Sequence, residues 1–336
     1  MREHHRIAIV GATGAVGNTL MSILEERAFP YAALKLLASH RSAGEILAFK
    51  DQPIMVEELT HDSFDDVDLV FSSAGSAISK EFIPTAVDKG CLVIDNTSAF
   101  RMDADTPLVV PEVNMGAAIK HNGLIANPNC STIQMVVALK PIYDRVGIKR
   151  IVVSTYQSVS GKSGSAVIEL VEQTTAALEG RPIEPDKFPH QMAFNVAFDW
   201  PFTDSGDSEE EMKMVNETRK ILEDDTIAVS ATTVRVPVFF AHSESINVET
   251  EDKLSPEDAR QLLSESPGVV VTDDPAKGSY PLAVDVAGKD EVYVGRIRED
   301  RSIENGLNLW VVADNLRKGA ALNAIQIAET LDRISV

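Results

Sequence analysis

Residues 6–17 read Arg6-Ile-Ala-Ile-Val10-Gly11-Ala-Thr-Gly14-Ala-Val-Gly17. A short apolar run meets three glycines spaced three apart, and a helical pattern follows to about Arg27. That is strand, glycine turn and helix. Glycines there let the backbone approach a pyrophosphate, and the free N–H groups at the helix start favour an anion. A glycine turn without a ligand would carry the same letters, so the neighbouring segments have to decide. Leu34–Ala38 reads as a second strand and Asp68–Ser72 as a third. A helix over 76–89, a strand over Cys91–Asp95 and another at Leu124–Ala126 follow. Alternation of this kind predicts a parallel, doubly wound Rossmann-type α/β sheet.

Beyond it, 130–146 is helical, Ile148–Ser154 is a strand, and 166–178 is helical with Gly180-Arg-Pro182 as its stop. Residues 181–209 carry Pro182, Pro185, Pro189 and Pro201 without periodicity and read as an irregular excursion. After a helix over 210–222, the stretches 227–238, 245–250, 291–298 and 307–313 look like strands of a second, mixed sheet. A last amphipathic helix spans 317–334. The expected division is residues 1–129 with 316–336 as the nucleotide domain, and 130–315 as an α+β catalytic domain.

The chain has 336 residues, with 31 basic against 51 acidic side chains and a formal charge of −20. So acidic a body repels nucleic acid and anionic membrane unless a basic patch intervenes, and no basic run occurs. A few arginines in a pocket can still take a small anion. Two cysteines are too few for a disulfide framework and fit a reducing, cytoplasmic setting. No signal-type apolar segment opens the sequence, and no run of ~18 apolar residues occurs. No metal is expected.

Three local features point to chemistry. At the end of the second strand, Ser39-His40-Arg41-Ser42 lacks the acidic residue that bonds a ribose 2′-OH in NAD-binding folds. Arg41 can instead grip a 2′-phosphate, helped by Ser39 and Ser42, which favours NADP over NAD; a solvated loop arginine is the alternative. In Pro128-Asn129-Cys130-Ser131-Thr132 a cysteine sits at a strand-to-helix junction, where the helix start stabilises a thiolate, the form needed for nucleophilic catalysis. Cys91, opening an apolar run, reads as a buried hydrophobe. Arg235 and His242 lie seven apart on strand-like sequence, and spacing alone does not separate His242 from six other histidines.

Taken together, Gly11–Gly17, Asn127-Pro-Asn-Cys-Ser-Thr132, Tyr156-Gln-Ser-Val-Ser-Gly161, Glu210-Glu-Met-Lys213, and Arg235 followed by Ala241-His-Ser243 resemble aspartate-β-semialdehyde dehydrogenase, from residue 6 to about 330. The resemblance implies a two-domain, NADP-dependent enzyme acting as a homodimer, its second domain serving catalysis and dimerisation. It would reduce L-aspartyl-4-phosphate to L-aspartate-4-semialdehyde, releasing phosphate, on the route to lysine, threonine and methionine. It implies Cys130 as acyl-thioester nucleophile, Gln157 as the residue orienting substrate, and His242 as general acid/base. Arg235 would hold the substrate α-carboxylate and Glu210 its ammonium, with Arg101 and Lys213 on the phosphate. NADP contacts would come from Gly11, Thr13, Gly14, Ala15, Val16, Arg41, Ser42, Ser160, Gly161 and Asn315. Lys162 receives no role.

These assignments place the site in a cleft between the domains. They also bring the last helix back to the first domain and Asn315 to the nicotinamide. The nearest rivals are other acyl-phosphate reductases, such as N-acetyl-γ-glutamyl-phosphate reductase or a phosphorylating glyceraldehyde dehydrogenase. Glu210 argues against an N-acetyl substrate, whose amine carries no charge. A Cys–His hydrolase would leave the glycine turn and Arg41 without purpose, and a cofactor-binding regulatory protein would not need Cys130, Gln157 and His242.

Overall fold

The computed structural model describes residues 5–334; His4 lies outside them. The chain divides into two compact units, Met1–Asn129 with Ala320–Val336, and Cys130–Gly319. The expected boundary at 316 therefore differs from the observed one by residues 316–319.

The first unit is built on a seven-stranded sheet. Its strands are β1 (His5–Val10), β2 (Tyr31–Ala38), β3 (Ile46–Phe49), β4 (Gln52–Glu58), β5 (Leu69–Ser72), β6 (Leu92–Asp95) and β7 (Leu124–Ala126). They run in the order β3-β4-β2-β1-β5-β6-β7. Every neighbouring pair is parallel except the β3–β4 hairpin. Ile7 to Val10 are all buried because both faces of the sheet are covered, the usual condition of a parallel sheet. On one face Leu20, Ile23 and Leu24 of the helix Ala15–Glu26 join Leu322, Ile325 and Leu331 of the helix Leu322–Ile334 over Ile7, Ile9 and Phe71. Arg27 and Glu329 link the ends of these two helices by a paired contact of 2.8 and 2.7 Å. On the other face Ile83 and Ala86 of the helix Ser76–Asp88 pack on Ala8, Val70 and Val93. β1 lies between β2 and β5, so the glycine turn leaves the sheet where strand order reverses, the usual ligand position in such folds.

The sequence reading omits the hairpin. Its turn residues Lys50 and Asp51 both have positive φ, of 49° and 58°. This is a two-residue turn without the Asn-Gly or Asp-Gly signal that marks one.

The second unit carries a six-stranded mixed sheet: β8 (Ile148–Gln157), β9 (Ala228–Arg235), β10 (His242–Thr250), β11 (Val269–Val271), β12 (Val292–Asp300) and β13 (Gly306–Ala313), in the order β11-β12-β13-β10-β8-β9. β8–β9 and β11–β12 are parallel and the other pairs antiparallel. The helices Cys130–Val146 and Glu209–Leu222 pack against it. The latter begins with a reciprocal cap, Ser208 Oγ accepting from Glu211 N and Glu211 Oε2 from Ser208 N.

Several boundaries depart from the sequence reading, each for a physical reason. β9 stops at Arg235 instead of Val238 because Pro237 has no N–H to offer a ladder. β10 begins three residues early, at His242, and β8 runs on to Gln157. The short helix Pro256–Ser264 and β11 carry too few periodic residues to be read from the sequence. The last helix is not uniform. Arg317–Ala321 forms one wide turn in which Gly319 N donates to Asp314 O at 3.0 Å, and Asp314 Oδ1 accepts from Leu316 N and Arg317 N. The α-helix proper starts at Leu322.

Candidate active site

Three neighbouring strands of the second unit deliver their end residues to one edge of the sheet. Arg235 ends β9 and pairs with Gln157, which ends β8. His242 opens β10, opposite Ala313 at the end of β13, and Asn315 follows two residues later. Cys130 is the first residue of the helix packed on that face, in thiol form and half-buried. It meets the requirement for a helix-start thiolate. Gly319 makes room for it: a Cβ there would lie 2.8 Å from Cys130 Cβ.

Gln157 is fully buried. Its Nε2 donates to Ser131 Oγ, the residue after the cysteine, and to Glu210 Oε1 at 3.1 Å. Glu210 stands in the first turn of its helix, and its other oxygen meets Lys213 Nζ at 3.0 Å. So Gln157, Glu210 and Lys213 come together, with Glu210 and Lys213 as each other's ion partners.

His242 is buried completely. Its Nδ1 accepts from the backbone N–H of Ser158 at 3.0 Å, with Ser158 Oγ also 3.0 Å away. A backbone N–H only donates, so the neutral ring carries its proton on Nε2. Nε2 has no hydrogen-bond partner among the described residues. Burial foremost, and then the charge of Arg235, lowers the His242 pKa to about 3. The ring is therefore a neutral Nε2–H donor. An imidazolium would set a second N–H against that of Ser158.

Asn315, Ser158 and Ser160 form a buried network behind the ring. Asn315 Oδ1 accepts from Ser158 Oγ at 2.9 Å and from Ala241 N at 3.1 Å, while Asn315 Nδ2 donates to Ser160 Oγ at 3.1 Å. Gly161 lies over the ring, where a Cβ would stand 3.0 Å from His242 Nε2 and 3.1 Å from Arg235 Nη1.

The remaining sequence-predicted residues lie in the first unit. Gly11 has φ of 85°, and a Cβ there would meet Ala74 N at 3.0 Å. At Gly17 a Cβ would sit 2.7 Å from Ala12 Cα. Gly14 precedes the helix Ala15–Glu26 without a side-chain cap, leaving the N–H groups of Ala15 and Val16 for an anion beside Thr13. These close backbone approaches make a cradle that fits a dinucleotide pyrophosphate. At the end of β2, Ser42 N donates to Ser39 O at 2.9 Å in a tight turn. Arg41 is exposed and forms no ion pair among the described residues. Arg101 is buried, its Nε donating to Asn127 O at 2.9 Å and its Nη2 to Asn96 O at 2.8 Å. Two backbone carbonyls hold it in place, and the Asp95 carboxylate lies close enough to feel its charge. Asp199 and Trp200, which the sequence reading passes over, both contact the Arg235 guanidinium.

Two family models match the chain. The family described as semialdehyde dehydrogenase, NAD binding domain, matches residues 6–121, and semialdehyde dehydrogenase, dimerisation domain, matches residues 139–318. The chain is similar to the aspartate-semialdehyde dehydrogenase of Aquifex aeolicus, 56% identical over 97% of this chain and 98% of that protein. Among solved structures it is similar to aspartate semialdehyde dehydrogenase II from Vibrio cholerae complexed with ASA, with a TM-score of 0.96 and 48% identity over 98% of both chains. It is also similar to the aspartate semialdehyde dehydrogenase with NADP from Candida albicans, with a TM-score of 0.75 and 27% identity over 98% of both chains.

Proposed function

This chain belongs to the aspartate-semialdehyde dehydrogenase family, and from that membership we propose that its strand-end cluster carries out the NADPH-dependent, reversible conversion of L-aspartyl-4-phosphate to L-aspartate-4-semialdehyde and phosphate. The observation that carries the reading is the convergence of Gln157, Arg235 and His242 at one edge of the sheet that packs the helix opened by Cys130.

Cys130 thiolate attacks the acyl carbon, and the C–O bond to phosphate breaks, leaving a thioester. The Arg235 fork suits the planar α-carboxylate, and the Glu210 carboxylate suits the ammonium. Arg101 and Lys213 are assigned to the phosphate, Arg supplying directed donors and Lys a point charge. Gln157, tied to Ser131 and Glu210, holds the substrate-facing side of the cysteine in register. His242 donates its Nε2 hydrogen bond to the carbonyl oxygen where negative charge develops. NADPH, when bound, supplies the hydride. The glycine turn, Thr13, Ala15 and Val16 are assigned to its pyrophosphate, Ser39, Arg41 and Ser42 to its 2′-phosphate, and Ser160, Gly161 and Asn315 to its nicotinamide end.

The chain works as a homodimer through residues 139–318, whose exposed Tyr156, Tyr280 and Leu282 would lie against the partner copy. No helix among the described residues is long and apolar enough to cross a membrane. With both cysteines as thiols, we assign the enzyme to the cytoplasm. Domain roles follow: residues 1–129 with the last helix bind NADP(H), and the rest performs the chemistry.

The test is NADP⁺ reduction with L-aspartate-4-semialdehyde, with and without inorganic phosphate. Phosphate-dependent turnover, abolished in Cys130→Ser with NADPH binding retained, is the expected result. Turnover without phosphate would mean that water resolves the thioester, and the roles of Arg101 and Lys213 would fall.

A further inference from the structure

The excursion over 181–209 is a built element. Glu169 Oε1 and Oε2 accept from the backbone of Asp186 and Lys187, and Gln173 Oε1 accepts from Met192 N and Ala193 N. The segment then joins Arg235 twice. Ala197 and Arg235 exchange both backbone hydrogen bonds, at 3.1 and 2.8 Å. Two residues on, Asp199 Oδ2 accepts from Arg235 Nε at 3.2 Å. The Trp200 ring lies 4.4 Å from the guanidinium carbon. Asp199's second oxygen accepts from Lys162 Nζ at 2.6 Å, and the Asp199 side chain is 1% exposed.

The charges matter as much as the geometry. A buried Asp–Arg pair alone would be neutral and would offer little to an incoming carboxylate. Lys162 makes the cluster two cations to one anion, so a single positive charge remains. Arg235's Nε edge is held by Asp199 and one Nη1 hydrogen by Ser158 O at 2.9 Å. The open donors are then at the Nη1/Nη2 end, a fork that matches a carboxylate.

We propose that Asp199 is a positioning residue for substrate recognition: it fixes the Nε edge of Arg235 so that the Nη end meets the substrate α-carboxylate, and Lys162 keeps the cluster cationic. The proposal rests on the reading of Arg235 as the carboxylate-binding residue.

The test compares L-aspartate-4-semialdehyde with 3-aminopropanal, the same aldehyde without the carboxylate. Asp199→Ala is expected to raise KM for the first roughly 10–100-fold, the worth of a charge-assisted hydrogen bond, with kcat within about threefold. It should leave kcat/KM for 3-aminopropanal and KM for phosphate unchanged. Lys162→Ala should raise the same KM, and Lys162→Arg should restore it. Asp199→Ala in an Arg235→Ala background should add nothing. Should Asp199→Ala fold poorly, Asp199→Asn, which keeps an acceptor for Arg235 Nε but not the ion pair, is expected to show a smaller KM rise confined to the carboxylated aldehyde. Equal losses on both aldehydes, or additive losses in the double variant, would overturn the proposal. An Arg235→Ala enzyme that still prefers the carboxylated aldehyde would instead remove the reading beneath it.

Discussion

Replacing Gly161 with alanine tests the assignment of His242 more narrowly than replacing the histidine. The added methyl would stand 3.0 Å from both Cε1 and Nε2 of His242 and 3.1 Å from Arg235 Nη1. A hydrogen-bonded oxygen sits 2.7–3.2 Å from such a nitrogen, so the methyl takes the place of the substrate oxygen. The fold should tolerate it. Gly161 is exposed and outside the left-handed region, so the backbone accepts alanine, and the gain of about 0.4–1 kcal/mol from a narrower unfolded ensemble offsets the tight contacts with buried His242 and Arg235. Losing one oxyanion donor costs about 10²–10³ in kcat. The expected variant melts near the wild-type temperature, presents a titratable Cys130, and has kcat of phosphate-dependent NADP⁺ reduction down at least 100-fold. Fluorescence titration with NADPH separates the alternative. If the loss tracks weakened cofactor binding, the role that the resemblance gives Gly161 is the operative one. A kcat within threefold of wild type would refute the claim that Nε2 donates to the reacting oxygen.

Arg41→Ala should weaken NADPH at least tenfold and NADH hardly at all, since only NADPH carries the 2′-phosphate; equal loss for both in parallel titrations would remove that role. Gly319→Ala would place a Cβ 2.8 Å from Cys130 Cβ, where both partners are held by backbone. Overpacking of this kind costs about 1–3 kcal/mol, so urea denaturation should show that loss and kcat should fall with it. Unchanged alkylation kinetics of Cys130 would contradict the contact.

The legible parts were those with local causes. Gly11–Gly17 sits between a strand and a helix in the sequence and does so in the structure. Cys130 opens a helix because a polar, proline-containing turn precedes it. Arg235 and His242, seven apart, read as strand residues of a second sheet. Pro237 makes them the end of one strand and the start of the next, and this brings them to the same edge. The parts that escaped depend on contacts between distant segments. Asp199 lies 36 residues before Arg235 in a stretch whose prolines hide its order. Gly319 matters only because the chain returns to Cys130 after nearly 190 residues. Lys162 could not be given a role until its partner was known.

Two neighbours on β10 give a last test, because burial acts on them in opposite senses. His242 and Glu244 are both buried on the face under the helix Cys130–Val146, and Gln134 of that helix faces Glu244. Burial lowers the His242 pKa to about 3 and raises that of Glu244 well above the usual carboxyl value. Below about pH 6.5 the unfolded chain protonates His242 and the folded chain does not, so stability falls as pH falls toward 3. Above about pH 4.5 the unfolded chain ionises Glu244 and the folded chain keeps it protonated, so stability falls as pH rises until the raised pKa is reached. Each slope is about 1.4 kcal/mol per pH unit. Above about pH 4.5 the two slopes oppose each other wherever both groups differ in protonation between the folded and unfolded chain. Glu244→Gln keeps the shape and an acceptor for the Gln134 amide and removes the ionisation. Its unfolding free energy in urea, minus that of the wild type, should therefore be constant below pH 4.5 and climb above it, all other titrations cancelling in the difference. A difference independent of pH would mean that Glu244 ionises as readily in the folded chain as in the unfolded one, and that the layer beneath His242 is wet.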